Sequence, residues 1–142
     1  MIYLLIGQPG VGKTTMAELL VRRFGAGTVW IDGDDLREIF PNNDYSYSGR
    51  IRNIEKAFAI ARFMSVKGQK VVISMVCPYR AIREDLKQNN DVVEILFTRN
   101  DYAGKEKLHV KNFEPPKENF LIFQNGTDLR RSFAELCLLL GI

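Results

Sequence analysis

The sequence predicts an α/β fold in which a five-stranded, mainly parallel sheet carries helices on both faces. Short apolar runs alternate with helical patterns from one end of the chain to the other, and this alternation is typical of parallel strands joined by helices. The chain has 142 residues, of which 46% are hydrophobic, so it is long enough to bury a core without disulfides. We therefore interpret residues 1–142 as a single domain.

The predicted strands are short runs of aliphatic and β-branched residues, a composition that suits strands buried on both faces. In chain order, they are residues 2–6, 28–31, 70–76, 92–97 and 120–123.

The predicted helices repeat apolar residues every three or four positions. Pro41 stops the second helix, Gly68 ends the third, and Pro78 stands at the entrance of the fourth. In chain order, they are residues 13–24, 36–40, 50–67, 79–89 and 128–140.

Residues 98–118 separate the fourth and fifth strands, and they are polar, basic and without clear periodicity. A segment of this length inside a compact domain is more often a functional lid than a simple connector. We therefore predict a lid over about residues 98–118.

Charge and composition exclude several classes of protein. The 20 Lys and Arg residues nearly balance the 17 Asp and Glu residues, and no basic stripe suggests nucleic acid as a partner. Cys77, Cys137 and the single histidine, His109, match no zinc-binding pattern. No apolar run approaches the ~20 residues needed to cross a membrane, and no cleavage site follows the apolar start. We therefore expect a cytoplasmic protein.

A phosphate-binding motif follows the first predicted strand. Residues 7–14 read G-Q-P-G-V-G-K-T and match the pattern G-x-x-x-x-G-K-[ST] at every fixed position. Such a loop directs amide N–H groups at a phosphate at the start of a helix, so the motif predicts a P-loop NTPase fold that binds ATP. The predicted nucleotide contacts are Gly7, Gln8, Pro9, Gly10, Val11, Gly12, Lys13, Thr14 and Thr15. The competing interpretation is a glycine-rich turn without a ligand.

Within this motif, Lys13 is expected to reach the β- and γ-phosphates, and the Thr14 hydroxyl is expected to hold Mg²⁺. The guanine-reading segment N-K-x-D of GTPases does not occur in the sequence. Nor does the third strand end in the Asp-Glu pair of many motor ATPases. The remaining interpretation is a kinase that acts on a small molecule.

Two carboxylates, Asp32 and Asp34, follow the second predicted strand, where α/β sheets bind their ligands. One could help to place Mg²⁺, and the other could take a proton from an attacking hydroxyl. Arg37 lies one helical turn beyond Asp34 and suits an anionic substrate. A solvated acidic turn that caps a short helix is the competing interpretation.

Two further segments complete a pattern. Arg50 and Asn53 share one face of the third helix, and residues 77–80, C-P-Y-R, follow the third strand. Together with the loop and the D-G-D-D-L-R segment at 32–37, they resemble the adenylyl-sulfate kinase family, whose segments read D-G-D-N-x-R, F-S-x-x-D-R-x-E-N-I and S-P-Y-R. That family phosphorylates the 3′-hydroxyl of adenosine 5′-phosphosulfate (APS) with ATP. Residues 114–116, E-P-P, resemble the family segment that follows the lid.

The resemblance implies a role for each of these residues. Asp34 would be the catalytic base, Asp32 an indirect helper at the metal, and Lys13 a catalytic cation. Arg37, Arg50 and Asn53 would hold the phosphosulfate and ribose of the acceptor. Tyr45 would stack on its adenine in place of a phenylalanine, while Val76 and Cys77 would line its pocket.

The sequence also departs from the family pattern. Cys77 replaces a serine, Gly49 replaces the aspartate before Arg50, and Asp35 replaces an asparagine. The lid is short and lacks the F-T-G phenylalanine that closes the family's adenine site. The lid residues that offer a substitute are Arg99, Lys105, Lys107, His109, Lys111 and Phe113. His109 is interpreted as a phosphate contact or a solvated residue rather than as a base.

Three functions therefore stay open on the sequence. The first is a Mg²⁺-requiring kinase with APS as its acceptor, and the second is a kinase of the same build for a nucleoside, a sugar or a nucleic-acid 5′ end. The third is a nucleotide-binding module without turnover. A homodimer is compatible with each of them.

Overall fold

A parallel sheet with the first strand of the chain at its centre organises the fold. The computed structural model describes residues 1–102 and 104–142, and residue 103, inside the predicted lid, lies outside the described residues. Within the described residues, the strands are β1 (Ile2–Ile6), β2 (Thr28–Asp32), β3 (Lys70–Ser74), β4 (Val92–Arg99) and β5 (Phe120–Asn125). Their order is β2-β3-β1-β4-β5, and each pair of neighbours is parallel. The α/β fold class is thereby confirmed, and the sheet is parallel throughout rather than mainly so.

Helices cover both faces of this sheet. They are α1 (Lys13–Phe24), α2 (Gly33–Ile39), α3 (Tyr47–Val66), α4 (Arg80–Asn89) and α5 (Leu129–Leu140), with a short 3₁₀ helix (Glu106–Leu108) in the lid. Alternate side chains of β1 point to opposite faces: Leu4 packs among residues of α2, α3 and α4, and Leu5 among residues of α1 and α5. None of the described helices combines the length and the apolar character needed to span a bilayer.

Two helices begin earlier than the sequence predicts because side chains cap them. Asp32 accepts a hydrogen bond from the Asp34 amide at 3.2 Å, so α2 begins at residue 33 instead of 36. Ser46 accepts one from the Gly49 amide at 3.3 Å, so α3 begins at residue 47 instead of 50. The polar loop between these helices is therefore shorter than the predicted 42–49.

The strand ends also differ from their predicted positions. β3 ends at Ser74 instead of residue 76, and Ser74 pairs with Asp32, the last residue of β2. β4 and β5 each run two residues beyond their predicted ends, since Arg99 and Asn125 still pair across them. The lid consequently begins after Arg99.

A buried ion network ties α4 to the sheet and to the end of the lid. The side chains of Arg83 and Glu94 are both 0% exposed, and the Arg83 Nε lies 2.7 Å from the Glu94 Oε2. Arg83 also donates to the carbonyls of Cys77 and Glu114. Lys87 donates to the other oxygen of Glu94 at 2.7 Å and to the Glu118 carbonyl at 2.7 Å. Three segments of the chain are thereby held by two cations around one buried carboxylate.

We predict that Glu94→Ala lowers the free energy of unfolding by about 3–5 kcal/mol, because it leaves the buried Arg83 guanidinium without its anionic partner. Denaturant unfolding of the full chain measures this change. The matched control is Glu135→Ala, which breaks an exposed pair with Arg131 and should cost less than about 1 kcal/mol. Equal losses in the two variants would contradict the prediction.

Candidate active site

A cavity of about 770 Å³ opens where the carboxyl ends of β1, β2 and β3 meet. The structure brings residues from every predicted site segment to its walls. Of the predicted site residues, those that line the cavity are Pro9, Gly10, Gly12, Lys13, Thr14, Thr15, Asp32, Asp34, Arg37, Tyr45, Arg50, Asn53, Val76 and Cys77. The other three predicted nucleotide contacts, Gly7, Gln8 and Val11, lie in the loop but not on the described walls.

The phosphate loop is tightly packed, and two of its glycines are required by their surroundings. Gly12 has a φ of +90°, and a Cβ there would collide with the side-chain amide nitrogen of Asn125. Gly10 also has a φ of +90°, and a Cβ there would lie 2.8 Å from the carbonyl oxygen of Tyr102 in the lid. The loop therefore contacts both the end of β5 and the lid, and each contact is possible only because the loop residue is a glycine without a Cβ.

Lys13 is nearly buried at the base of this loop. Its side-chain Nζ donates hydrogen bonds to the carbonyls of Gly7 at 2.8 Å and Gln8 at 2.9 Å. Burial lowers the pKa of Lys13 to about 8; the negative charges of Asp32 and Asp34 partly oppose this shift, and the Lys105 charge adds to it. The ammonium group thus lies within the field of two carboxylates and of a lid lysine.

The Asp32 carboxylate connects the phosphate loop to β3. Its Oδ1 accepts hydrogen bonds from the Thr14 hydroxyl at 3.2 Å and from the Ser74 hydroxyl at 2.6 Å. The Trp30 indole N–H in turn donates to the Ser74 oxygen at 2.9 Å. Ser74 and Trp30 were not identified from the sequence. They lie on the neighbouring strands β3 and β2, and only the register of these strands decides that their side chains meet at Asp32.

Thr14 and Asp32 fit a magnesium ion. They place a hydroxyl oxygen and a carboxylate side by side, both of them hard oxygen ligands, and the Thr14 proton points at Asp32 and leaves the hydroxyl lone pairs free. Among the described residues, no group of three His, Cys, Asp or Glu side chains could hold a metal by itself. This arrangement suits Mg²⁺, which takes much of its coordination from phosphate and water.

Asp34 lies in the first turn of α2, two residues after Asp32, and differs from it in its contacts. Its side chain is exposed to the cavity and makes no hydrogen bond to any described residue, whereas Asp32 is 8% exposed and accepts three hydrogen bonds. It lines the same cavity as Lys13, and its negative charge opposes the lowering of the Lys13 pKa. A carboxylate in this position is available to accept a proton from a bound molecule.

The two predicted acceptor arginines meet at Tyr45. The Arg37 guanidinium lies 4.0 Å from the centre of the Tyr45 ring, and the Arg50 guanidinium lies 5.8 Å from it. Arg37 also donates to the carbonyls of Asn42 and Asp44, and Arg50 donates to that of Tyr45. Both side chains therefore hold the loop that carries Tyr45, a role that the sequence did not reveal. Tyr45 itself is 60% exposed.

One departure from the family pattern, Gly49, has a local explanation, and a second, Cys77, has an unusual backbone conformation but no structural explanation for its replacement of serine. A Cβ at Gly49 would collide with the backbone and side chain of Asp44, so this packing excludes the aspartate of the family. Cys77 has a φ of +46°, unusual for a residue other than glycine, and the buried Arg83 holds its carbonyl at 2.7 Å. Burial raises the pKa of the Cys77 thiol to about 12, so this thiol is not a nucleophile at neutral pH.

Other predicted residues lie around the cavity in different ways. Asn53 donates its side-chain amide to the Gly33 carbonyl at 3.2 Å and so fastens α3 to α2. Of the substitutes predicted for the lid, Arg99, which the structure places at the end of β4, and Lys105 line the cavity. Lys107 and Lys111 are exposed and do not line it, and Phe113 packs against the core with the Arg83 guanidinium 5.7 Å from its ring centre. The His109 ring packs edge-on against Tyr102 at 4.4 Å.

A second, smaller recess of about 150 Å³ lies beside the loop. It shares Gly12, Thr15 and Arg99 with the main cavity, and residues from the end of β5 and the start of α5 complete it. Asn125 holds the Val11 carbonyl there at 2.8 Å. Asn125 was not identified as a site residue from the sequence, because nothing local shows that the end of β5 faces the phosphate loop.

Comparison with known proteins matches residues 1–111 to the family model described as adenylylsulphate kinase. A cytidine diphosphoramidate kinase of Campylobacter jejuni is 31% identical over 95 residues, covering 64% of this chain and 56% of the relative. An adenylyl-sulfate kinase of Picosynechococcus is 33% identical over 94 residues, covering 63% of this chain and 53% of the relative. The matched part thus spans about half the length of these curated relatives.

Solved structures agree in fold over nearly the whole chain. A Mycobacterium tuberculosis APS kinase in complex with AMPPNP and APS has a TM-score of 0.81 at 18% identity and covers 99% of this chain and 97% of its own. A gluconokinase from Sinorhizobium meliloti has a TM-score of 0.61 at 16% identity, with coverage of 98% and 94%. The family model covers residues 1–111, which is more than half of the chain. This chain therefore belongs to the adenylylsulphate kinase family.

Proposed function

We propose that this protein is an ATP-dependent kinase that phosphorylates a hydroxyl group of a small anionic acceptor, with APS as the first-choice acceptor. One observation carries the proposal: a single cavity joins the phosphate loop to the Asp34 carboxylate and to the guanidinium groups of Arg37 and Arg50. Phosphoryl transfer requires mainly positioning and charge neutralisation, and these groups can supply both.

The donor would bind along the phosphate loop. The loop amides and Lys13 would contact the phosphates of ATP, and the smaller recess beside Arg99 and Asn125 is of a size to take its base. Thr14 and Asp32 would hold Mg²⁺, which supplies charge neutralisation at the phosphates. This chain's own part is to keep the Thr14 hydroxyl turned toward Asp32.

The acceptor would occupy the part of the cavity between α2 and α3. Arg37 and Arg50 would bind its anionic group, and the exposed face of Tyr45 would contact its base. Asp34 would accept the proton of the attacking hydroxyl, since its carboxylate has no other partner among the described residues. Among the described residues, the hydrogen-bond partners of Arg37 and Arg50 are neutral carbonyls, so a neutral acceptor would leave both charges without an anion as the pocket closes.

A second acceptor class is a different anionic nucleotide. One relative bears the name cytidine diphosphoramidate kinase, and Tyr45 is 60% exposed, so a flat base would be held on one side only. A sugar, a nucleoside or a nucleic-acid 5′ end is the next alternative, and a nucleotide-binding module without turnover is the last. A coupled assay of ATP consumption across a panel of acceptors distinguishes them. Consumption that requires APS supports the first choice, and binding without consumption supports the module.

The remaining predictions concern the whole protein. Three expectations from the sequence stay predictions: a cytoplasmic location, a homodimer, and a single domain over residues 1–142. The prediction that neither nucleic acid nor a membrane is a partner also stays a prediction. Size-exclusion chromatography with light scattering measures the oligomeric state directly.

We predict that ATP affinity falls as pH rises from about 7.5 to about 9.5. The pKa of Lys13 is lowered to about 8, so its side-chain amine is positively charged below that pH and loses the charge above it. Phosphate binding needs this positive charge. Calorimetric titration with ATP and Mg²⁺ measures the effect. Lys13→Ala should abolish both this pH dependence and turnover, while Lys117→Ala, an exposed control, should keep them. An unchanged pH dependence in Lys13→Ala would assign it to another group.

We predict that Asp34→Asn lowers kcat by about a hundredfold or more, with a smaller effect on ATP affinity, because the amide cannot accept the hydroxyl proton. Steady-state kinetics with the preferred acceptor measure both constants. Asp35→Asn is the matched control, since Asp35 is exposed next to the site but does not line the cavity. Loss of ATP affinity at unchanged kcat would instead make Asp34 a nucleotide or metal contact.

We predict that Arg37→Ala and Arg50→Ala each raise the acceptor KM much more than the ATP KM, because the phosphate loop holds ATP independently. Arg52→Ala is the control: Arg52 also anchors the Tyr45 loop, through Asp44 at 3.0 Å, but does not line the cavity. If Arg52→Ala raised the acceptor KM equally, loop anchoring alone would explain the effect. A wild-type preference for uncharged acceptors would reject the anionic acceptor.

A further inference from the structure

We propose that Gln8 is a positioning residue that docks the lid on the phosphate loop. The lid here means residues 100–102 and 104–113, between the end of β4 and Glu114. Its role in phosphoryl transfer rests on the proposed function, whereas the docking itself does not. Gln8 belongs to the loop motif, yet its side chain makes its contacts outside the loop.

The side-chain amide of Gln8 binds the main chain of one lid residue through both of its polar atoms. Its Nε2 donates to the Val110 carbonyl at 2.9 Å, and the Val110 amide donates to its Oε1 at 2.7 Å. The two residues are 102 positions apart in the chain. A primary amide that bonds in this way reproduces the paired N–H and C=O contacts of a neighbouring strand, so it fixes both the distance and the orientation of the lid backbone.

The side chains of Tyr102 and Phe113 pack against the core at the two ends of the lid, and the backbone between them needs a further attachment. Its regular structure in the described residues is a short 3₁₀ helix, and its internal backbone hydrogen bonds there join near neighbours, such as Leu108 to Lys105 and His109 to Glu106. These bonds shape the turn but do not attach it to the rest of the protein. The two bonds to Gln8 attach it at the far end of the turn.

A second contact lies at the near end of the lid. The Tyr102 carbonyl and the Lys105 Cβ lie 2.8 Å and 3.0 Å from the position that a Cβ on Gly10 would take. The lid thus rests on a glycine at one end and is held by Gln8 at the other. Between these points, Lys105 and Leu108 line the main cavity, together with Val110 itself.

Docking of this kind would affect the fate of the transferred phosphoryl group. A docked lid keeps Lys105 at the phosphates and covers the cavity, so the acceptor hydroxyl rather than water attacks the γ-phosphorus. In an undocked state, water would attack instead, the bond between the γ-phosphorus and the bridging oxygen would break, and ADP and inorganic phosphate would form. Gln8 would therefore favour transfer over hydrolysis.

The test uses the full chain and three variants. Gln8→Leu removes both hydrogen bonds at similar volume, and Gln8→Glu keeps the acceptor for the Val110 amide but loses the donor. Gln88→Leu makes the same chemical change at an exposed position of α4 and is the control. The first readout is hydrogen–deuterium exchange of the Val110 amide by NMR without nucleotide, and the second is ATP hydrolysis without acceptor relative to transfer with acceptor.

We expect the Val110 amide to exchange about fivefold faster or more in Gln8→Leu, with a smaller increase in Gln8→Glu and none in Gln88→Leu. The ratio of hydrolysis to transfer should rise in the same order. Unchanged exchange at Val110 in both Gln8 variants would overturn the docking role. Faster exchange with an unchanged ratio would overturn its effect on the reaction. If the wild type transferred phosphate to no acceptor in the panel, the proposed function would fail, while the exchange result would still decide whether Gln8 docks the lid.

Discussion

The site depends on the hydrogen bonds of one carboxylate, that of Asp32. Its oxygens accept from the Thr14 hydroxyl, the Ser74 hydroxyl and the Asp34 amide, and so join the phosphate loop, β3 and the start of α2. Since the donors come from three parts of the chain, removing the carboxylate would release all of them at once. The parallel register sets this arrangement, because it places Asp32 directly beside Ser74.

The cavity next to Asp32 is lined by several cationic side chains. Lys13 and Lys105 lie at the phosphate loop, Arg37 and Arg50 at the acceptor end, and Arg99 between the two cavities. Burial is the main cause of the lowered pKa of Lys13, and the Lys105 charge adds to it against the opposing charges of Asp32 and Asp34. Positive charge in both halves of the site attracts anionic ligands, which is the physical reason why a phosphorylated donor and an anionic acceptor are expected together.

The buried ion network of Arg83 and Glu94 fixes two segments next to the cavity. Arg83 binds the Cys77 carbonyl, the Glu94 carboxylate and the Glu114 carbonyl, so one side chain fixes the strained turn after β3 and the end of the lid. The lid is therefore held from two directions, through Gln8 at the phosphate loop and through Arg83 at its exit. This double attachment explains how a short lid without a long helix keeps Lys105 and Leu108 at the cavity.

The sequence alone determined the fold class, the family and the segments of the site, because strand–helix alternation and motifs such as the phosphate loop are local patterns. It also predicted which residues would gather at one edge of the sheet, since parallel strands present their carboxyl ends together. The helix starts were missed where a cap such as Asp32 extended the helix by three residues. Only the tertiary structure decided that Ser74 and Trp30 support Asp32, that Arg37 and Arg50 hold the Tyr45 loop, and that Gln8 binds Val110. Each of these contacts joins residues whose spacing in the chain carries no signal, so their meeting depends on strand register and on where the chain turns back.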